Sequence, residues 1–218
     1  MTINAISYYA YYSPTPKPEP ILPEGYTQLD YIQSTGTQYI DTDVMPNQDT
    51  RIDAEVETVD TGIPYFFWGA RTSSETVNFC LLRVGSGVRA DYGESKLKIV
   101  SVPSAGKVSV SQNKNVCTYD NTTVTNTAST FASQYPLYLF AANTGATAGY
   151  FGRHKLYNCK IYNDGTLIRD FVPARNASGT IGLYDTLNGT FYTNAGTGTF
   201  VAGAEINHDF IAGAETTN

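Results

Sequence analysis

Histidine occurs twice and cysteine three times in the 218 residues, and neither is spaced for chemistry. His154 and His208 have no acidic or cysteine neighbour at metal-ligand spacing, which excludes the compact zinc motifs and the His-Glu-x-x-His helix. His154, beside Arg153, is expected at the surface. Cys80, Cys117 and Cys159 are odd in number and far apart, so they form neither a disulfide framework nor a Cys-x-x-Cys pair. They are expected as buried small hydrophobes. A Gly-x-Ser-x-Gly elbow and a phosphate-binding glycine loop are missing as well. No catalytic residue, no metal ligand and no cofactor is assigned on these grounds.

Long apolar runs and clustered basic charge are also lacking. No run is long enough to cross a bilayer, so no membrane partner is expected. Met1–Ala10 has neither the basic nor the apolar region of a secretory signal, and the chain is expected to stay in the reducing cytoplasm where it is made. Twenty acidic side chains against 14 basic give a net charge of −6 without any Lys/Arg cluster. A polyanion is repelled by such a surface, which sets nucleic acid aside as a partner.

What remains is rich in tyrosine, with 17 residues, and in threonine, both favoured on pleated surface. Fifteen short segments, from Tyr26–Ile32 to Thr199–Val201, read as strands separated by Gly, Pro, Asn and Asp. Asp164-Gly165 and Asn188-Gly189 each join two β-rich runs and accept the positive φ of a two-residue hairpin turn. Consecutive hairpins in a chain of this length predict one all-β domain, a two-sheet antiparallel sandwich.

Three stretches carry a resemblance. They are Leu22-Pro-Glu-Gly-Tyr-Thr-Gln-Leu-Asp-Tyr-Ile-Gln-Ser-Thr-Gly-Thr-Gln-Tyr-Ile-Asp-Thr42, Lys160-Ile-Tyr-Asn-Asp-Gly-Thr-Leu-Ile-Arg-Asp-Phe-Val-Pro173, and Gly182-Leu-Tyr-Asp-Thr-Leu-Asn-Gly-Thr-Phe-Tyr-Thr-Asn194 with Gly196-Thr-Gly-Thr-Phe200. Together they resemble the concanavalin A-like, laminin-G-like jelly-roll family, common in bacteriophage virion proteins and in surface proteins of gut bacteria. The resemblance implies a jelly roll over residues 22–203 and carbohydrate binding. Relatives sometimes hold calcium at the sandwich rim, for which Asp41 and Asp43 are the candidate ligands.

Outside that domain, residues 1–13 hold Tyr8, Tyr9, Tyr11 and Tyr12, and residues 14–21 alternate proline with other residues. Such a spacer is stiff and extended, so the tyrosines are expected as an anchor arm that joins the domain to other virion proteins. Residues 204–218 form a tail in which Phe200-Val-Ala-Gly-Ala-Glu205 is echoed by Phe210-Ile-Ala-Gly-Ala-Glu215.

Three candidates could carry function inside the domain. Asp53, Glu55 and Glu57 share one face of a strand and partly resemble the Glu-x-Asp-x-Glu strand of laminarinase-type glucanases, with the order altered. Their expected role is a solvated strand face. Trp68 and Phe66 lie in an apolar run that reads as core. The Gly/Ala-rich loop from Ala141 to His154 supplies Asn143, Tyr150 and Arg153, the amide, ring and guanidinium of a glycan site. Arg169-Asp170 reads as an ion pair or as two groups on opposite faces. The combined expectation is a multicopy or homo-oligomeric phage protein on the particle exterior that attaches to glycans. A ligand-free decoration protein and a glycan-cleaving enzyme are the alternatives.

Overall fold

The computed structural model describes residues 22–59, 64–99 and 106–206. Tyr8, Tyr9, Tyr11, Tyr12, the proline spacer, His208 and the second copy of the C-terminal echo lie outside the described residues. Those described belong to one compact unit, Leu22–Asn207.

Nineteen strands form among the described residues, and no helix. In chain order they are β1 (Tyr26–Gln28), β2 (Ile32–Gln33), β3 (Ile40–Asp41), β4 (Thr50–Thr58), β5 (Tyr65–Arg71), β6 (Asn78–Val84), β7 (Gly87–Tyr92), β8 (Ser95–Ile99), β9 (Lys107–Asn113) and β10 (Val116–Tyr119). There follow β11 (Thr122–Thr125), β12 (Tyr138–Leu139), β13 (Ala142–Thr144), β14 (Thr147–Gly149), β15 (His154–Asn163), β16 (Thr166–Asn176), β17 (Ile181–Asp185), β18 (Thr190–Thr193) and β19 (Val201–Ala202). One sheet runs β11-β10-β9-β4-β15-β16-β17-β18 with β1, β2 and β19 attached, and the other runs β14-β13-β5-β6-β7-β8 with β12 and β3 attached. All pairs are antiparallel except β5 with β13. The expected all-β, two-sheet antiparallel sandwich is therefore the observed one.

Side-chain alternation shows why the sheets pack. On β4, Ile52, Ala54 and Val56 are buried, while Arg51, Asp53, Glu55 and Glu57 are half-buried on the opposite face. β5 is buried throughout and contributes Tyr65, Phe67 and Trp68 to the main core. Phe66 belongs to a separate cluster with Cys80, Leu82 and Ala142.

Local structure departs from expectation in a few places. Asp164 and Gly165 do form a two-residue turn, with φ of 47° and 75°, between the paired Asn163 and Thr166. Asn188-Gly189 does not. There the closing pair is Asp185 with Thr190, a four-residue loop in which Gly189 alone takes a positive φ. The reason is Asp185, fully buried, whose carboxylate accepts hydrogen bonds from the Leu187 N–H and the Asn188 amide and so folds the loop around itself. The Ala141–His154 segment is not a plain loop either, because it contains the β13–β14 hairpin, turned by Gly145 and Ala146 at φ of 58° and 68°. At the other end the ladder runs past residue 203, since Leu29 bridges Glu205 and the Ile206 N–H donates to Gln28.

Candidate functional site

Tyr150 follows β14 directly and is 59% exposed. Its backbone is left-handed, at φ 53°, which a bulky side chain adopts only when its surroundings impose it. Here the Phe66 N–H donates to the Tyr150 carbonyl at 3.1 Å and holds the residue against β5. The ring then lies 5.6 Å from the Phe66 ring, and the Arg71 guanidinium carbon sits 5.2 Å from the Tyr150 centroid and 5.0 Å from that of Phe66.

Arg71 is itself fixed. Its Nε donates to Thr144 Oγ1 at 2.9 Å, and its Nη1 donates to Glu75 Oε1 at 2.8 Å. The side chain is only 7% exposed, so the charge is held by these bonds rather than by water. Glu75 also pairs with Lys96; that hydrogen bond, followed by the charges of Arg71 and Lys96, holds its carboxyl below the usual range. The parallel pairing of β5 with β13 sets Thr144 beside Arg71. The result is an exposed aromatic ring backed by a rigid cation, with a hydroxyl and a carboxylate next to it.

Of the three residues expected to share a site, only Tyr150 is at this surface. Asn143 is fully buried and its amide nitrogen donates to the Pro136 carbonyl at 2.9 Å, because its register opposite Ala70 turns it inward. Arg153 is exposed and lies against the turn at Gly36, where an added Cβ would stand 2.7 Å from its Nε. The cation on the Tyr150 ring is Arg71, at the end of an apolar run whose sequence gives no sign of it. Trp68 and Phe66 are buried, at 1% and 2% exposure, as expected of core residues.

The carboxylates of β4 are each engaged. Asp53 accepts from Arg51 Nε at 2.9 Å and Ser111 Oγ at 2.7 Å, Glu55 from Asn158 Nδ2 at 2.7 Å, and Glu57 from the Tyr157 hydroxyl at 2.6 Å and Lys155 Nζ at 3.1 Å. The Tyr157 bond first, then Lys155, pulls the Glu57 carboxyl below its ordinary range. A general acid at neutral pH needs the opposite shift. A shallow groove of about 250 Å³ crosses this face beside Asp53, Glu55 and Asn158.

His154 is not at the surface. Alternation along β15 puts it on the same inward face as Leu156, 1% exposed, between the rings of Phe140 at 4.5 Å and Tyr65 at 5.7 Å. Burial drives its pKa down to about 3, so the ring is neutral. The three cysteines are buried and unbridged, and burial raises each thiol, that of Cys117 to about 12. At the candidate calcium position, Asp41 Oδ1 accepts from the Asp43 N–H at 3.0 Å and the buried Thr42 hydroxyl donates to the Leu137 carbonyl. Burial raises the Asp41 pKa, and among the described residues no group of three His, Cys, Asp or Glu is gathered for a metal. Arg169 and Asp170 pair apart, with Asp185 at 3.7 Å and Lys160 at 2.9 Å.

No protein-family model matches the chain, and no curated protein matches it.

Proposed function

We propose that this is a non-enzymatic, virion-associated phage protein whose concanavalin A-like domain attaches to host-surface or mucus glycans at the Tyr150 platform. The observation that carries the binding half is the ring of Tyr150, exposed, held in a left-handed conformation and backed by Arg71. Sugar rings have apolar C–H faces that stack on aromatic rings, and their hydroxyls need donors and acceptors alongside. Thr144 and Glu75 supply those groups. The left-handed backbone, which costs about 1–3 kcal/mol, is held by the Phe66 hydrogen bond and fixes the exposed ring in place. Affinity at one such platform is weak, and repeated copies on a particle raise it without new contacts.

The virion half rests on the sequence resemblance, the unbridged cysteines and the tyrosine arm at Tyr8, Tyr9, Tyr11 and Tyr12. Binding is favoured over hydrolysis because the β4 carboxylates are paired and Glu57 is shifted away from a general acid's range.

Tyr150→Ala should lower adsorption to host cells at least tenfold with melting shifted by no more than a few degrees, an exposed side chain contributing little to stability. Tyr150→Phe, which keeps the ring, should adsorb like wild type. Undiminished adsorption by Tyr150→Ala contradicts the assignment. Separately, removal of residues 1–20 should leave a cooperatively folding domain that no longer enters its particle. Wild-type incorporation of that truncated chain would refute the anchor.

A further inference from the structure

A second cleft, of about 410 Å³, opens where β17 begins and β18 ends. Pockets of this size take small organic ligands. No charged side chain lines it. Its apolar part is Ile181 and Phe200, the latter 3% exposed and anchored in the main core. Ser178, Thr180, Thr193 and Thr199 also line it, all exposed, and none of their hydroxyls has a hydrogen-bond partner among the described residues. Each hydroxyl offers one donor and two acceptor sites.

The cleft is built before any ligand arrives. Asn176 Oδ1 accepts from the N–H groups of Ser178 and Thr180 at 3.1 and 2.9 Å, fixing one wall. Asn194 fixes the other, because its Oδ1 accepts from Tyr39 and Gly196 N–H at 3.1 and 2.8 Å while its Nδ2 donates to the Thr197 and Gly198 carbonyls. Gly196 packs so closely on the Thr37 carbonyl that a side chain there would collide with it. Loops ordered in advance lose little entropy on binding.

We infer that this cleft is a second ligand site, and that it takes a neutral glycan. Free hydroxyls beside an apolar patch match a molecule that presents both hydroxyls and C–H faces. The absence of charge in the lining fits an uncharged ligand, since a carboxylate or sulfate entering it would lose water without gaining a counter-charge. A peptide strand would need unpaired backbone groups in the cleft, yet the loop amides of Ser178, Gly179, Thr180, Gly196 and Thr197 are already bonded within the chain. This site goes beyond the Tyr150 platform and is tested apart from it.

The test is a titration of the ¹⁵N-labelled chain with neutral gluco-, galacto- and manno-oligosaccharides, and with oligogalacturonate as the charged control. Gly179, Gly196 and Gly198 report on the cleft through their amide signals. At least one neutral oligosaccharide should shift all three, oligogalacturonate should not, and Tyr150→Ala should leave the response intact. Replacing the four hydroxyl residues together (Ser178→Ala, Thr180→Val, Thr193→Val, Thr199→Val) preserves shape and should weaken that response at least tenfold at unchanged melting temperature. If the replacement loosens the loops, Thr193→Trp, which fills the cleft from an exposed strand end, provides the same comparison. No shift of these glycines with any neutral sugar at 10 mM overturns the inference, as does an equal response to oligogalacturonate. Shifts confined to the surroundings of Tyr150 overturn it too, and leave the proposed function standing.

Discussion

Trp68→Ala should destabilise the domain by about 3–5 kcal/mol, the range for truncating a large buried aromatic. Trp68 is 1% exposed and paired in register with Leu81 and Leu139, so its removal empties the centre of the second sheet's inner face. A polar loss comes with the cavity. The indole N–H donates to Gln112 Oε1 at 2.8 Å, and Gln112 Nε2 in turn donates to the Asp91 carbonyl at 3.1 Å, linking the two sheets. Truncation leaves the glutamine oxygen buried without a donor, a further cost of about 1–3 kcal/mol. Since whole domains are stable by about 5–15 kcal/mol, the variant should be marginal at 37 °C. Urea midpoints at constant m-value check this, and Trp68→Phe should lose less. A Trp68→Ala domain of wild-type stability would mean that the core is wrongly assigned.

Acid is the second lever, through His154. Its folded pKa is about 3 because burial penalises the imidazolium, while the unfolded value is 6.5. The unfolded chain therefore takes up a proton below pH 6.5 that the folded one refuses until about pH 3. Stability from this group is complete above 6.5 and falls by up to about 1.4 kcal/mol per pH unit between 6.5 and 3. From pH 6.5 to 4.5 the loss should be about 2–3 kcal/mol, before the carboxylates with lowered values, Glu57 and Glu75, begin to add their own. Asp41 and Asp91, both raised by burial, act in the opposite direction over the lower part of that window. His154→Leu, of similar volume, should flatten the profile above pH 4.5. An unchanged slope in that variant would place the acid sensitivity elsewhere.

Strands were legible wherever the sequence alternates or runs apolar between turn residues, as in Thr50–Thr58 and Tyr65–Arg71. The missed strands, β11 and β14, are short and, apart from Val124, made of Thr, Ala and Gly; Val124 packs on the main core, but one apolar residue makes no alternating pattern to announce a strand. The Asn188-Gly189 turn was misread because the residue that shapes it, Asp185, acts through a buried side chain three positions earlier. His154 was misplaced by attention to its charged neighbour, although it stands two residues before the apolar Leu156 and so shares its inward face; a register shift between Leu156 and Asn158 breaks the alternation before Cys159. Tyr150 was read as an exposed ring from its Gly/Ala-rich stretch, and its exposure is what the structure bears out. Arg71 and Thr144 drew no notice beside it, since they are 73 residues apart in sequence and only the parallel pairing of β5 with β13 brings them together. The rim cleft is likewise non-local, with its two walls set by Asn176 and Asn194.

The most direct test of a glycan platform at Tyr150 is a glycan array probed in parallel with the intact chain and with Tyr150→Ala. The intact chain should bind a defined subset of host-surface or mucus glycans, and the variant should lose at least tenfold of that signal on the same spots. Equal signals from both proteins, or no glycan bound by the intact chain, would contradict it.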